Sequence, residues 1–273
     1  MYTNSINLKL GIIGKPNSGK STLFNCLLGK KVSPVGDEYG LTKTLFKEKI
    51  KFKDYNFLLI DTPGLRRKRK VTELSELSRN REVLRLIDNV DAICLLIDSY
   101  ENITKQDFKL ADLVISKQKI IYFLFNKIDI LDEKKKYISK TYKYLQKNYS
   151  KHLVINVEFI SAKKNIGISK VLEGIIKKMS YLPMNIDKSK LNKFLNHLGK
   201  VSTYPKVKKI EIKPKYIVQL KNKIPTFKVF INSKNRAPKI FQKYFDNSFR
   251  KYFKLKGIPI VFNFISSKNP YSN

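Results

Sequence analysis

The chain has 273 residues, with 56 Lys and Arg against 22 Asp and Glu and a formal net charge of +34. That length allows two ordinary domains. The charge excludes an acidic or near-neutral chain and favours a polyanionic partner. No apolar run approaches the ~18 residues that a membrane helix needs, and the first one, Leu8 to Ile13, is strand-length.

Of the 56 basic residues, 48 are Lys and 8 are Arg, beside only 4 Ala and no Trp. A/T-rich codon usage would inflate Lys without any binding role, so the distribution of charge matters more than its sum. From Asn185 to the end there are 21 basic and 3 acidic residues, net +18 over 89 positions; residues 1–184 hold 35 and 19, net +16. Codon bias acts on both parts alike, so the doubled charge density of the tail points to an anionic partner. Cys26 and Cys94 stand in separate apolar contexts without a Cys-x-x-Cys or His neighbour, which suits a reducing cytoplasm and argues against a metal site.

In chain order, Ile6–Ile13 reads as a strand that ends in a Gly-rich loop, and Lys20–Leu28 as a helix. Leu45–Phe52 and Tyr55–Asp61 read as two strands around a short turn. A helix is expected between Val71 and Ile87. Strand Asp91–Asp98, helix Lys105–Ser116, strand Lys119–Asn126, helix Glu133–Lys147, strand Leu153–Ser161 and helix Ile168–Met179 follow. This alternation predicts an α/β fold with a mostly parallel sheet and helices on both faces. The segment Leu182 to Asp187 (LPMNID) reads as a linker. Beyond it the pattern predicts a helix at Lys188–Leu198, strands near Lys208–Ile212 and Thr226–Ile231, a helix over Pro238–Phe253 and a strand at Ile258–Phe264: a small α+β unit. The expected domains are 1–182 and 183–273.

Gly14-Lys15-Pro16-Asn17-Ser18-Gly19-Lys20-Ser21 fits G-x-x-x-x-G-K-[ST] without mismatch, between a strand and a helix that continues with Thr22. Glycines let the backbone curl so that its N–H groups meet phosphate oxygens, and the helix N-terminus adds positive potential. Lys20 is expected to bridge β- and γ-phosphates, and Ser21 to ligate Mg²⁺. Asp61-Thr62-Pro63-Gly64 closes the next strand: Asp61 can hold Mg²⁺ through a water and the Gly64 N–H can meet a γ-phosphate. Asn126-Lys127-Ile128-Asp129 follows a further strand. A carboxylate at Asp129 accepts from guanine N1–H and N2–H₂, a donor pair that adenine lacks. Asn126 is expected to tie this loop to the phosphate loop, and the Lys127 stem to cover the base. Ser161-Ala162-Lys163 can offer a backbone N–H to guanine O6. Thr42, with Thr44 as the alternative, is the candidate switch threonine completing the Mg²⁺ shell in the GTP state. The four motifs in this order predict a GTP/GDP-binding, GTP-hydrolysing domain.

These motifs resemble translation-factor-like GTPases, and most closely the EngA (Der) family of ribosome-assembly GTPases, in its second GTPase domain and C-terminal KH-like domain. GKPNSGKSTLFNCLLG, LLIDTPGLRRKRKV, ITKQDFKLADL and FNKIDIL carry the first part; PTFKVFIN and YFDNSFRKYFKLKGIPI carry the second. The resemblance implies that Gly14 to Thr22, Asp61 to Leu65 and Asn126 to Asp129 bind nucleotide, that Asn17 helps to hold an activating K⁺, and that the partner is the large ribosomal subunit and its rRNA. It also implies a cytoplasmic, ribosome-associated monomer in which the family's first GTPase domain is absent. The family's P-G-T-T-R-D switch I is here Tyr39-Gly40-Leu41-Thr42-Lys43-Thr44.

Leu65 stands where Ras-like enzymes place a water-orienting Gln, so intrinsic hydrolysis is expected to be slow. Arg66, Arg67, Lys68, Arg69 and Lys70 follow at once and could contact RNA phosphates. The tail lacks the GxxG of nucleotide-clamping KH domains, leaving Lys206, Lys208, Lys209, Lys213 and Lys215 as candidate phosphate contacts. Two alternatives stand beside this reading. One is a basic rRNA scaffold with negligible turnover; the other is an Era-like GTPase of the small subunit.

Overall fold

The computed structural model describes residues 7–29, 46–61, 76–101, 103–201, 204–207, 210–233 and 235–266. The chain divides into two compact units, Met1–Lys177 and Lys178–Asn273.

In the first unit the strands are β1 (Asn7–Gly14), β2 (Phe46–Phe52), β3 (Tyr55–Asp61), β4 (Ala92–Asp98), β5 (Ile120–Asn126) and β6 (Asn156–Phe159). The helices are α1 (Lys20–Leu28), α2 (Glu76–Asp88), α3 (Lys105–Ser116), α4 (Lys134–Asn148) and α5 (Ile168–Met179). The six strands form one sheet in the order β2-β3-β1-β4-β5-β6. All pairings are parallel except that of β2 with β3. β4 and β5 are buried along their whole length, which is why their sequences are continuous apolar runs rather than alternating ones. The edge strand β2 instead exposes Lys47, Lys49 and Lys51 on alternate positions, a charge pattern that blocks edge-to-edge pairing. After β1 the chain builds outward to β3 on one side, then crosses to β4 on the other. The C-terminal end of β1 therefore lies at the reversal of strand order, where α/β sheets bind ligands.

Beneath α3 and α4, Phe108 and Tyr149 stack with ring centroids 4.6 Å apart beside the buried Phe123. The Tyr149 hydroxyl donates to Asp112 Oδ1 at 2.9 Å. Burial and the Asp112 carboxylate both hold that phenol in its protonated form, well above the usual tyrosine range.

The second unit contains α6 (Lys188–Val201), the short pair β7 (Lys206–Val207) and β8 (Ile210–Glu211), β9 (Pro214–Leu220), β10 (Thr226–Ile231), α7 (Lys239–Tyr252) and β11 (Val261–Ser266). β10 pairs antiparallel with β9 and parallel with β11. The seven-residue strand β9 is absent from the sequence reading. Its Lys-Pro-Lys opening looks like loop, yet Ile217 on it is buried. The segment read as a linker is also partly structural. Ile186 is buried in the second core, the Leu182–Pro183 bond is cis, and the Gln219 side chain bonds both Ile186 N–H and Met184 O. On α7, Phe241, Phe245 and Phe249 recur at i, i+4 and i+8 and are fully buried with Phe194 and Phe227, so the tail's aromatics form its core.

Arg250 is buried in that core at 3% exposure. Its guanidinium donates to Asp246 Oδ1 at 2.7 Å and to the carbonyls of Leu255 and Ile258 at 3.3 and 2.6 Å. It thereby ties the end of α7 to the loop entering β11. Burial raises the Asp246 carboxyl above its ordinary value, opposed by the Arg250 charge. Arg250→Ala leaves a buried carboxyl and two carbonyls without their donor and is expected to cost this unit about 3 kcal/mol. Native-state hydrogen exchange of β10 and α7 amides measures this; a loss under about 1 kcal/mol would mean that the aromatic core alone holds the helix.

Candidate functional site

β1 ends in Gly14 at φ 149°, and a Cβ built there would stand 2.5 Å from the Leu96 carbonyl oxygen on β4. Only glycine lets the chain leave the sheet here so close to its neighbour. The loop then folds on the Lys15 carbonyl, which accepts from Ser18 Oγ at 3.0 Å and from Lys20 Nζ at 2.5 Å. Asn17 takes a left-handed φ of 63°, which an Asn tolerates better than most residues. Gly19, at φ 97°, precedes the first turn of α1; a Cβ on it would reach within 2.2 Å of Asn126 Nδ2.

Asn126 is the last residue of β5, and its side chain is buried. Nδ2 donates to the Ser18 carbonyl at 2.9 Å, and Oδ1 accepts from the Ala162 N–H at 2.9 Å. One amide thus holds together the phosphate loop, the loop after β5 and the loop after β6. The loop after β6 is pinned further by Ser161 N–H to Ile166 O at 3.1 Å and Ile166 N–H to Ser161 O at 3.0 Å. Ile128 N–H donates to Ile160 O at 3.2 Å. Asp129 sits in the one-turn helix Ile128–Ile130. Its Oδ1 is buried and has no hydrogen-bond partner among the described residues. A hydrogen bond from Ser161, aided by Lys163 and Lys164, holds its carboxyl below the usual aspartate range. The group is therefore ionised at neutral pH, and this acceptor would be lost only as pH falls through that depressed value. An ionised, unpartnered buried acceptor fits the N1–H and N2–H₂ edge of guanine.

Two further carboxylates belong to the site. Asp107, 1% exposed, takes Lys15 Nζ at 3.0 Å on Oδ2, and the same oxygen accepts from Thr104 N–H and Thr104 Oγ1, both at 2.8 Å. Asp98 ends β4 and takes Lys127 Nζ on Oδ2 at 2.5 Å, while its Oδ1 accepts from Tyr100 N–H at 3.0 Å. Lys127 holds this pose from a left-handed φ of 68°. Sequence reasoning missed both acids. The Thr104-x-x-Asp107 spacing of a capping box was the available signal for Asp107; an Asp closing a strand is too common to single out Asp98. Cys26 Sγ also reaches Asn165 Oδ1 at 3.3 Å, joining α1 to the loop after β6.

Gly14, Lys15, Asn17, Ser18, Gly19, Lys20, Asn126, Lys127, Ile128, Asp129, Ser161 and Ala162 thus gather at the C-terminal ends of β1, β5 and β6. Pro16, Ser21 and Thr22 are exposed at the same mouth. The backbone of Asp61 closes β3; its side chain lies outside the described residues, as do Thr42, Thr44, Thr62, Pro63, Gly64, Leu65 and the basic run 66–70. The Ser21 hydroxyl, in the first turn of α1 behind Lys20, fits a hard-cation ligand beside bound phosphates. Among the described residues no cluster of three His, Cys, Asp or Glu side chains could hold a metal by itself, and no helix is long and apolar enough to cross a membrane.

Residues 9–127 match the family model described as 50S ribosome-binding GTPase, and residues 185–264 match the KH-domain-like C-terminal domain of EngA bacterial GTPases. The chain is 33% identical over 267 residues to the GTPase Der of Rickettsia bellii, covering 97% of this chain and 59% of that protein. It is 37% identical over 263 residues to the GTPase Der of Borrelia garinii subsp. bavariensis, covering 94% and 58%. The chain therefore spans a little under three-fifths of the length of these relatives. Among solved structures, Era in complex with MgGDPNP and a segment of 16S ribosomal RNA aligns with a TM-score of 0.51 at 20% identity, covering 98% of this chain and 95% of that one, a likeness of fold. By these matches the chain is similar to P-loop GTPases of the EngA (Der) type in one GTPase domain and in the C-terminal KH-like domain.

Asn126→Ala removes a donor to Ser18 O and the acceptor of Ala162 N–H. Two unsatisfied buried backbone groups at about 1–3 kcal/mol each should weaken GDP binding on the order of a hundredfold, read by titration calorimetry. Asp107→Asn keeps the cap but removes the charge facing Lys15, and a drop of about tenfold is expected, driven by faster nucleotide release. Unchanged release rates in stopped-flow would show that Lys15 needs no anchor.

Proposed function

We propose that the chain is a GTP-binding and GTP-hydrolysing switch, with a GTPase domain over 1–182 and a basic KH-like domain over 183–273, that acts in the cytoplasm on the large ribosomal subunit during its assembly. The observation that carries the nucleotide reading is the buried, unpartnered Asp129 Oδ1 in a loop that Asn126 ties to the phosphate loop. The ribosomal part of the reading is supported by the family and by the charge of the tail.

In this reading Lys20 exchanges the Lys15 carbonyl for β- and γ-phosphate oxygens, while the backbone N–H groups of 14–20 and the α1 N-terminus surround the phosphates. Asp129 orients guanine, and the Lys127 stem, held by Asp98, packs on the base. Ser21, Thr42 and Asp61 would hold Mg²⁺, which when bound neutralises the negative charge between the β- and γ-phosphates. The Gly64 N–H would meet the γ-phosphate. Leu65 cannot hydrogen-bond water, so the chain alone turns over slowly, and contact with the ribosome supplies the missing alignment. The exposed Asn17 side chain would help to hold K⁺.

The test is GTP hydrolysis with Mg²⁺ in K⁺ and Na⁺ buffers, with and without separated ribosomal subunits, against Lys20→Ala as the blank. Turnover that rises with large subunits and vanishes in the blank is the expected result, and a K⁺ preference that Asn17→Ala abolishes would assign that residue. Tight GTP binding without turnover above the blank would leave a basic rRNA scaffold; stimulation by small subunits alone would make the chain Era-like. Asp129→Asn presents an amide donor to the base edge. It should cost GTP affinity on the order of a hundredfold and improve xanthosine triphosphate binding, because xanthine carries an oxygen where guanine carries its amino group.

A further inference from the structure

Helix α4 carries six lysines in fifteen residues and no acid. The other long helices of its unit all carry acids: α2 has three basic and three acidic residues, α3 two and two, α5 three and one. Codon bias would load them alike, so the charge of α4 is local. Lys136, Lys140, Lys143 and Lys147 follow at i, i+4, i+7 and i+11, which places them in a single stripe along one helix face, with steps of about 4.5–6 Å. All four are exposed. Lys136 pairs with Glu133, itself solvent-exposed, while Lys140, Lys143 and Lys147 make no ion pair among the described residues. The opposite face, with Thr141 and Leu145, is buried against the sheet, so the stripe cannot turn inward.

Beside the stripe lies a cavity of about 440 Å³ lined by Ile103, Phe125, Tyr137, Lys140, Thr141 and Tyr144. That volume falls within the range of small-ligand sites. Tyr144 is 42% exposed and makes no ring contact among the described residues, unlike Tyr137, which packs edge-on against Phe125 and Phe159. A row of exposed cations next to a half-buried aromatic pocket is the combination that binds a single-stranded nucleic acid, phosphates on the cations and a base on the ring.

We propose that α4 is a further RNA-binding surface, in which Lys136, Lys140, Lys143 and Lys147 track the backbone of an unpaired RNA stretch and one base enters the cavity against Tyr144. This rests on the ribosomal reading above and extends it. The basic run 66–70 and the KH-like tail are the RNA contacts expected from the sequence, and α4 adds a third. The cavity favours unpaired RNA over duplex, whose bases are not splayed out to enter it.

The experiment uses the full chain, a fluorescein-labelled twelve-nucleotide oligoadenylate and an RNA duplex of equal length, with anisotropy followed over increasing KCl. Replacing the four stripe lysines by Gln should lower the slope of log K against log salt by about 3, at about 0.7 per lost phosphate contact, with melting temperature and basal GTP turnover unchanged. Tyr144→Ala should weaken oligoadenylate binding about tenfold and leave duplex binding as it was. The control removes the same charge elsewhere, replacing the exposed Lys47, Lys49, Lys51 and Lys109 by Gln. An equal fall in slope for the control would mean diffuse charge and overturn the site, as would a wild-type chain that does not bind the oligonucleotide. A stripe variant that keeps RNA binding but no longer sediments with ribosomal subunits would make α4 a protein-docking face and overturn the RNA assignment. If the wild type sediments with neither subunit, the ribosomal reading fails on its own, independently of the oligonucleotide result.

Discussion

The nucleotide site depends on one buried amide. Asn126 reaches the Ser18 carbonyl with one atom and the Ala162 N–H with the other, so three loops from three strand ends share a single side chain. Both partners are backbone groups that would otherwise be buried without a bond, and leaving such groups unmade costs more than the bonds themselves return. The phosphate loop cannot shift without breaking a contact that also sets the base loop. Gly19 is part of the same arrangement, since the amide occupies the space that a Cβ there would need. The phosphate loop and the base loop are thereby one mechanical unit, which the proposed switch needs if it is to respond to the γ-phosphate while staying selective for guanine.

A second layer consists of buried carboxylates that hold the lysines of the loops. Asp107 is fully buried, caps α3 through Thr104 and at the same time takes the Lys15 ammonium. Asp98 takes Lys127. Both pairs link the nucleotide loops to the ends of β4 and α3, away from the phosphates themselves. Buried ion pairs contribute little net stability when their desolvation is counted, so their value here is positional. In the second unit Arg250 has the same character: its three bonds join α7 to the approach of β11, within a core that aromatic rings already fill.

Much of this was legible in the sequence because the signals were local. The phosphate loop, the helix Lys20–Leu28 and the strand Tyr55–Asp61 follow from periodicity and glycine placement, and they stand at the expected residues. The α/β class and the mostly parallel sheet followed from the alternation of long apolar runs with helical patterns. What was missed depends on partners far away in the chain. β9 opens on Lys-Pro-Lys and holds only a three-residue Tyr-Ile-Val run, too short to stand out alone, and it becomes a strand because β10 pairs with it. Asp98 and Asp107 acquire their roles from Lys127 and Lys15, at separations of 29 and 92 residues, which no window of sequence contains. The linker was misjudged for the same reason: Ile186 is apolar in a short polar context, and only the fold of the second unit supplies the core that buries it.

The balance of charge also explains how so basic a chain could keep a selective anion site. With 56 cations and 22 acids, an unshielded lysine cluster at the mouth of the sheet would attract any polyanion, RNA included. Here Lys15 and Lys127 are each matched to a buried acid, so in the proposed reading Lys20 and the backbone N–H groups are left to meet the phosphates. Recognition at the mouth then depends on geometry, on glycines and oriented amides that fit a triphosphate and a guanine edge, rather than on bulk potential. Lysines without an ion pair among the described residues include Lys47, Lys49 and Lys51 on β2 and Lys140, Lys143 and Lys147 on α4, all on outward faces. The scarce carboxylates therefore separate two kinds of anion binding within one domain. Where an acid is paired and buried, the lysine becomes a structural element of a specific pocket; where acids are missing, the lysines remain available to a longer and less specific polyanion.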